Sequence, residues 1–237
     1  MSAPILADEN HPLPPLENGE RLDRATFHAR YLDTPEDFRA ELIGGVVHLH
    51  GRVTWMHGGA TAKLCYALGT YDMVTPGVEC LPRVTVLLDD ETEAEPDLCL
   101  RLEREIGGTS WIDEDDFVAG PPECLIEVSD HDTEQIDKCD KFRAYEKGGV
   151  REYIIILIRE ARVLWFVRQD GWFVESAIPS DGILCPRSFP GLRLDTGAVF
   201  TRDLHRMHSV AESGADTPEH AAFVAELARR RAERSRV

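Results

Sequence analysis

The sequence predicts an α/β (α+β) fold, a mixed central β-sheet flanked by helices with a helical extension at its C-terminal end, and three observations lead there. Several short segments alternate apolar and polar residues with the period of a strand and enclose one long helical segment near 133–147. Helical patterns with recognisable caps stand towards both ends. No internal repeat divides the chain, and its 237 residues suit one sizeable domain with appended elements. The expected division is a flexible tail over 1–19, a sheet domain over 20–200 and a helical extension over 201–237.

Residues 1–19 are rich in Pro and Asn and have no periodicity. From Leu22 to about Ala40 the pattern is helical, with a break at Asp33-Thr34 and a second short helix in which Thr34 caps and Pro35 takes the first position. Glu41–Leu49 reads as a hairpin turning at Gly44-Gly45. Met56–Tyr71 is the next helix, ended by Thr75-Pro76-Gly77. Val84–Leu88, Asp97–Leu102 and Cys124–Ser129 read as strands, the last two separated by an acidic, Gly-containing loop over Glu103–Pro122. Thr133–Lys147 is a helix stopped at Gly148-Gly149. Arg151–Ile158, Arg162–Arg168 and Trp172–Ile178 form a meander, and Asp195-Thr196 opens a helix to about Ser213. Thr217-Pro218-Glu219 starts the final amphipathic helix.

Composition narrows the function classes. Hydrophobic residues make up 43% of the chain, enough for a core, and no apolar run reaches the length of a membrane span. The first residues lack the basic start and apolar stretch of a signal peptide, so the cytoplasm is the expected location. Six cysteines without a CxxC pair read as buried free thiols in a reducing compartment. The formal net charge of −17 argues against tight, non-specific nucleic-acid binding and leaves room only for a local basic groove.

The chemistry sits on two strands. In Pro96–Leu102, alternation puts Leu98, Leu100 and Leu102 on one face and Asp97 on the other. In Cys124–Ser129, Glu127 shares its face with Leu125 and Ser129, a carboxylate within an apolar strand. Such a group is tolerated only with a partner or a metal. If Asp97 and Glu127 are neighbours, two carboxylates ~4 Å apart repel by about 4 kcal/mol at an effective dielectric of roughly 20. A proton or a cation must then sit between them, and magnesium suits two carboxylates, several waters and a phosphate. On the following helix Asp137, Lys141 and Tyr145 recur at i, i+4, i+8, so Lys141 can stand above the carboxylates. The bland alternatives are a strand start for Asp97, an arginine partner for Glu127 and a surface pair for Asp137 and Lys141.

The order of these motifs resembles the Uma-type family of "putative restriction endonucleases", within the PD-(D/E)XK nuclease superfamily. The resemblance rests on Glu41-Leu42-Ile43-Gly44-Gly45, Glu95-Pro96-Asp97, Leu125-Ile126-Glu127-Val128-Ser129, Asp137-x-x-x-Lys141-x-x-x-Tyr145 and Gly149-Val150-Arg151-Glu152-Tyr153. It runs from about Pro14 to Leu227 and includes Phe189-Pro190-Gly191-Leu192 and Pro218–Phe223, found in one branch. It implies a restriction-endonuclease-like fold and cleavage of a DNA phosphodiester with magnesium or manganese. Asp97 and Glu127 would bind the metal, Glu41 would support the site, and Lys141 would be the catalytic lysine. The superfamily signature expects that lysine two residues after the glutamate, where this chain has Ser129. Asp130-His131-Asp132-Thr133 also departs from the commoner Ser-Pro-Ser-Thr.

Other residues carry weaker signals. His48 and His50, two apart in the hairpin, are joint ligands or, more commonly, exposed histidines. His57 reads as helix capping or packing, and Tyr66, Tyr145 and Tyr153 as core. The last helix reads as a docking or homodimer element with its arginines solvated. Against the endonuclease stand two other classes: a nuclease-like fold acting as a binding or regulatory protein, and a phosphodiesterase with a non-nucleic-acid substrate. The endonuclease reading expects Lys141→Ala to abolish cleavage with the fold intact, and Ser129→Ala to be nearly silent.

Overall fold

The computed structural model describes residues 13–201 and 203–234. The chain opens with α1 (Arg24–Leu32), started by Asp23, whose side chain accepts the Thr26 N–H at 2.8 Å. Strands β1 (Ala40–Ile43) and β2 (Val46–Leu49) form the expected hairpin. Its two-residue turn needs positive φ twice, which Gly44 (57°) and Gly45 (77°) supply. Helix α2 (Trp55–Val74) follows, capped by Thr54. Strands β3 (Val78–Pro82), β4 (Val86–Asp89), β5 (Thr92–Ala94), β6 (Leu98–Leu102), β7 (Trp111–Ile112), β8 (Val118–Ala119) and β9 (Cys124–Ser129) then precede a helical segment ending in α3 (Phe142–Gly148). The meander is β10 (Glu152–Leu157), β11 (Arg162–Gln169) and β12 (Trp172–Glu175). A small hairpin, β13 (Ile183–Leu184) and β14 (Leu194–Asp195), leads into α4 (Thr196–Phe200), α5 (Leu204–Ala215) and α6 (Pro218–Arg234).

The strands make two mixed six-stranded sheets, where the alternation had suggested one. The first has the order β2-β1-β5-β4-β8-β7 and the second β12-β11-β10-β9-β6-β3. Each contains one parallel pair, β4 with β8 and β9 with β10. The second sheet is buried on both faces. Leu98, Leu100, Ile126, Val128 and Ile154 pack against Leu64, Leu68 and Tyr71 of α2 and against the C-terminal helices. Cys99, Leu125, Tyr153 and Ile155 pack towards α3 and the first sheet. Burial on both sides explains why β9 and β10 read as near-continuous apolar runs. No described helix is long and apolar enough to cross a membrane.

Several elements differ from expectation for local reasons. Pro35 starts a turn, closed by the Phe38 N–H on the Pro35 carbonyl at 2.9 Å, and no second helix forms there. The helix expected over 195–213 is two: Asp195 caps α4 through the Ala198 N–H, and Asp203 caps α5 through the Arg206 N–H. The loop between β6 and β9 is not irregular. It carries a 3₁₀ turn at Arg104–Ile106 and the strands β7 and β8, and buried Glu123 pins it by accepting from the N–H groups of Leu102 and Thr109. Of the expected tail, Leu16 is buried against Phe27, Leu42 and Val47, while residues 1–12 lie outside those described. The C-terminal helices add Met207, Ala211 and Leu227 to the main core. The arginines of α6 are not simply solvated: Arg230, Arg231 and Arg234 bond to Ile106 O, Glu103 and Arg104 O, and Arg236 lies outside the described residues.

One buried ion pair ties α1 to the first sheet. Glu93 on β5 is 2% exposed, and His28 Nδ1 stands 2.9 Å from its Oε1. The bond to Glu93 raises the His28 pKa above its ordinary 6.5, against the effect of partial burial. A histidine whose pKa rises on folding contributes stability that is full below its unfolded value and fades as pH climbs through the folded one. Urea unfolding should therefore find His28→Gln less stable than wild type by about 1–2 kcal/mol near pH 6, allowing for the partial exposure of His28. The gap should narrow by pH 9; an unchanging gap would mean that His28 acts as a neutral hydrogen-bond partner.

Candidate active site

Strands β6 and β9 run antiparallel with Leu98 opposite Ile126, so continuing the register sets Asp97 opposite Glu127. The two side chains line one cleft together with Glu95, Val128, Asp137 and Lys141. Asp97 Oδ2 accepts the Val128 N–H at 2.8 Å and lies 3.2 Å from His57 Nε2. Glu127 Oε2 faces the Asp97 N–H at 3.4 Å. The strand edge itself orients both carboxylates.

The second half of the site descends from the helical segment after β9. Its first part, Ile136–Lys141, is a π-helical turn where a regular helix was expected. Such wide turns are rare and recur at functional sites. Asp137, Lys141 and Tyr145 all reach inward from it and from α3. Lys141 is 4% exposed, and its Nζ lies 2.9 Å from Glu41 Oε2, 2.9 Å from Glu127 Oε1 and 3.9 Å from Asp137 Oδ1. Tyr145 donates its hydroxyl to Glu127 Oε1 at 2.8 Å. Ser129 donates to Asp137 Oδ2 at 2.6 Å, and the Tyr153 hydroxyl donates to the Asp137 carbonyl. Glu41, on β1, also accepts the Glu95 N–H at 2.6 Å and lies 3.1 Å from His50 Nε2.

Three buried carboxylates thus surround one ammonium, and they do not titrate alike. Burial pushes the Glu41 carboxyl up, but Lys141 and His50 outweigh it and hold it at about 2. Burial pushes Glu127 well above the usual range, and the negative fields of Asp137, Asp97 and Glu41 add to this against Lys141. Burial also raises Asp137. Lys141 is held well above its ordinary value by Glu127, Glu41 and Asp137, which together overcome its desolvation. A single lysine does not offset three ionised carboxylates, and the excess of negative charge falls on the side of Glu127 and Asp137.

The four sequence candidates Glu41, Asp97, Glu127 and Lys141 therefore meet in one place. The structure adds Tyr145 and Asp137, both part of the i, i+4, i+8 face, as well as Ser129 and His57. The surface-pair alternative for Asp137 fails because that side chain is 3% exposed. Thr54, not His57, caps α2, and His57 holds Asp97. His48 and His50 do not act jointly: His50 reaches Glu41, while the buried Nε2 of His48 has no hydrogen-bond partner among the described residues. Tyr66 is no core residue; it is 46% exposed and bonds to His208. Among the described residues no group of three or more His, Cys, Asp or Glu is arranged to hold a metal ion. Asp97 and Glu127, facing one cleft from opposed strand positions, are nonetheless a donor set that suits magnesium, which needs only one or two carboxylates and completes its octahedron with water and phosphate.

Residues 24–197 match the family described as "Putative restriction endonuclease", Uma2. The chain belongs to the Uma2 family. Among solved structures it is similar to a "putative nuclease belonging to DUF820" from Anabaena variabilis, with a TM-score of 0.58 and 17% identity over 72% of this chain and 95% of that one. At that identity the likeness speaks for the fold alone. No curated protein matches the chain.

The bonding pattern revises what two substitutions should do to this Uma2 protein. Lys141→Ala leaves buried carboxylates without their cation, a change that typically costs about 3–5 kcal/mol. Ser129→Ala removes a donor from buried Asp137, worth about 1–3 kcal/mol. Denaturant unfolding in metal-free buffer should show both losses, Lys141→Ala the larger. Wild-type stability in either variant would contradict the geometry described.

Proposed function

We propose that this Uma2 protein is an endonuclease that hydrolyses DNA phosphodiester bonds with magnesium or manganese bound at Asp97 and Glu127. The observation that carries the reading is the pair of carboxylates on adjacent strands, in a cleft, with a buried lysine on one of them. When bound, the metal supplies Lewis acidity towards a phosphoryl oxygen and lowers the pKa of a water. The chain's own residues do the rest. His57 and the Val128 amide fix Asp97, and Tyr145 and Lys141 hold Glu127 Oε1 so that Oε2 remains towards Asp97. Glu41 keeps Lys141 in place, and Lys141 keeps positive charge beside the reacting phosphate, where such a group typically contributes two to three orders of magnitude, ~3–4 kcal/mol.

Substrate binding must come from the rim. Arg39, Arg52 and Arg83 line the cleft, and Arg83 adopts a left-handed backbone (φ 52°) that L side chains rarely take. Asp130 and Asp132 line it too, so the rim is mixed and not a continuous basic trench. That mixture, with the net charge of −17, favours a second reading in which the fold serves as a binding or regulatory protein.

A plasmid-nicking assay separates the two. Wild type with magnesium or manganese should nick supercoiled DNA, and Asp97→Ala should fall about 100-fold or more, towards background. Millimolar metal should also raise the melting temperature of wild type but not of Asp97→Ala, because a ligand bound only by the native state stabilises it. Neither nicking nor a metal-dependent shift would leave the regulatory reading. Arg52→Ala and Arg83→Ala should each lower the slope of log Kd against log salt by about 1 if they contact phosphates.

A further inference from the structure

We propose that the apolar groove at the start of α2 is a base-binding site, and that the preferred substrate of the neighbouring cleft carries an unpaired nucleotide seated there. The inference rests on the nuclease reading above. Thr54, the cap of α2, lines the cleft of Asp97 and Glu127, while Trp55 lines the adjoining groove. One helix start thus separates the two, so a strand with its phosphate at the carboxylates has a neighbouring base within reach of the groove. The groove holds about 270 Å³, and its walls include Trp55, Met56, Ala60, Ile158 and Phe200. That volume suits one flat ring system, whereas a protein partner needs a far larger surface.

Two features of α2 have no explanation in the fold itself. Trp55 is 76% exposed, although the helix already buries Ala60, Leu64, Ala67, Leu68 and Tyr71. Gly58 and Gly59 stand in the first turns of a helix, where glycine is unfavourable, yet a Cβ at either would meet nothing within 4 Å. Packing does not demand these glycines, and Gly59, which lines the groove, keeps its floor clear for a ligand. An indole face beside an apolar slot is what stacks a nucleobase, with any of the four bases accepted. Charge complementarity points the same way: Arg52, three residues before Trp55, is exposed, lines the cleft and makes no ion pair or hydrogen bond among the described residues. A base inside a duplex is already stacked and paired, so a duplex would have to open before using the groove.

Fluorescence anisotropy in EDTA, with a labelled single strand, a flap and a blunt duplex of one sequence, tests this without catalysis. Wild type should bind the single strand and the flap more tightly than the blunt duplex. Trp55→Ala should weaken single-strand binding about tenfold, and Trp55→Phe should restore most of it. Gly59→Leu, which fills the floor, should weaken it as well without lowering the melting temperature. Trp172→Ala, at a comparably exposed tryptophan outside the cleft and the groove, should leave binding unchanged. Equal binding by wild type and Trp55→Ala, or a preference for blunt duplex, would overturn the base site and leave the nuclease reading standing. A dimer that Trp55→Ala splits in light scattering, with no loss of single-strand binding, would make the groove a contact between copies and overturn it too. Trp55-dependent binding without metal-dependent nicking would support the base site while the nuclease reading fails.

Discussion

The site depends on one ammonium group held out of water between two carboxylates. Lys141 reaches Glu41 on β1 and Glu127 on β9, so a single side chain joins the hairpin of the first sheet to the centre of the second. Taking three charges out of water costs several kcal/mol apiece, and their mutual attraction repays this only when the remaining donors and acceptors are satisfied. The surroundings meet that demand. Tyr145 occupies the same oxygen of Glu127, His50 and the Glu95 amide take Glu41, and Ser129 takes Asp137. From the π-helical turn and the start of α3, Lys141 and Tyr145 both reach Glu127 Oε1, while Asp137 on the same face bonds to Ser129.

The fold contains other buried acids, and their partners differ from those of Glu127. Glu123 is filled by backbone amides of Leu102 and Thr109 and by the Thr109 hydroxyl. Glu152 accepts the amides of Arg187 and Ser188 and the indole of Trp165. Most of those donors are backbone amides, whose positions the chain path fixes. Glu127 is different, for its strong partners are two side chains and its second oxygen faces the cleft. Under the proposed function, that second oxygen is the one left to meet a metal.

That distinction also marks how far the sequence could be read. Strand alternation sets Asp97 and Glu127 each on the face away from its strand's main apolar set, and the i, i+4, i+8 spacing puts Asp137, Lys141 and Tyr145 on one side of the following helix, because both periods are local properties of the backbone. The hairpin at Gly44-Gly45 and the cap at Thr217 were legible for the same reason. That the two carboxylates are neighbours is a tertiary fact. Glu123 and Glu152 stand at the starts of apolar strands and Glu127 within one, but only tertiary contacts show which partners each finds. The division into two sheets is not legible in the sequence, because β5, β7 and β8 of the first sheet are two or three residues long, too short for a period to show. His57 reads in sequence as helix capping or packing, because its bond to Asp97 spans 40 residues and leaves no local signal.

The acidity of the chain sets the last constraint on how such a site meets DNA. A net charge of −17 repels a polyanion at distances beyond the Debye length only weakly, but within it the field opposes approach. Long-range steering therefore cannot supply the affinity. Part of the negative charge lies in the turn Asp113–Asp116 between β7 and β8, on elements other than β6 and β9, which carry the site. Under the proposed function, recognition is left to contacts of short range: a few arginines on the cleft wall, a metal at Asp97 and Glu127 and the exposed face of Trp55. Those interactions act over a few ångströms and depend on geometry more than on net charge. A protein built this way gains selectivity for nucleic acid that already fits its cleft, at the cost of the broad, salt-driven affinity that a basic nuclease has for any duplex.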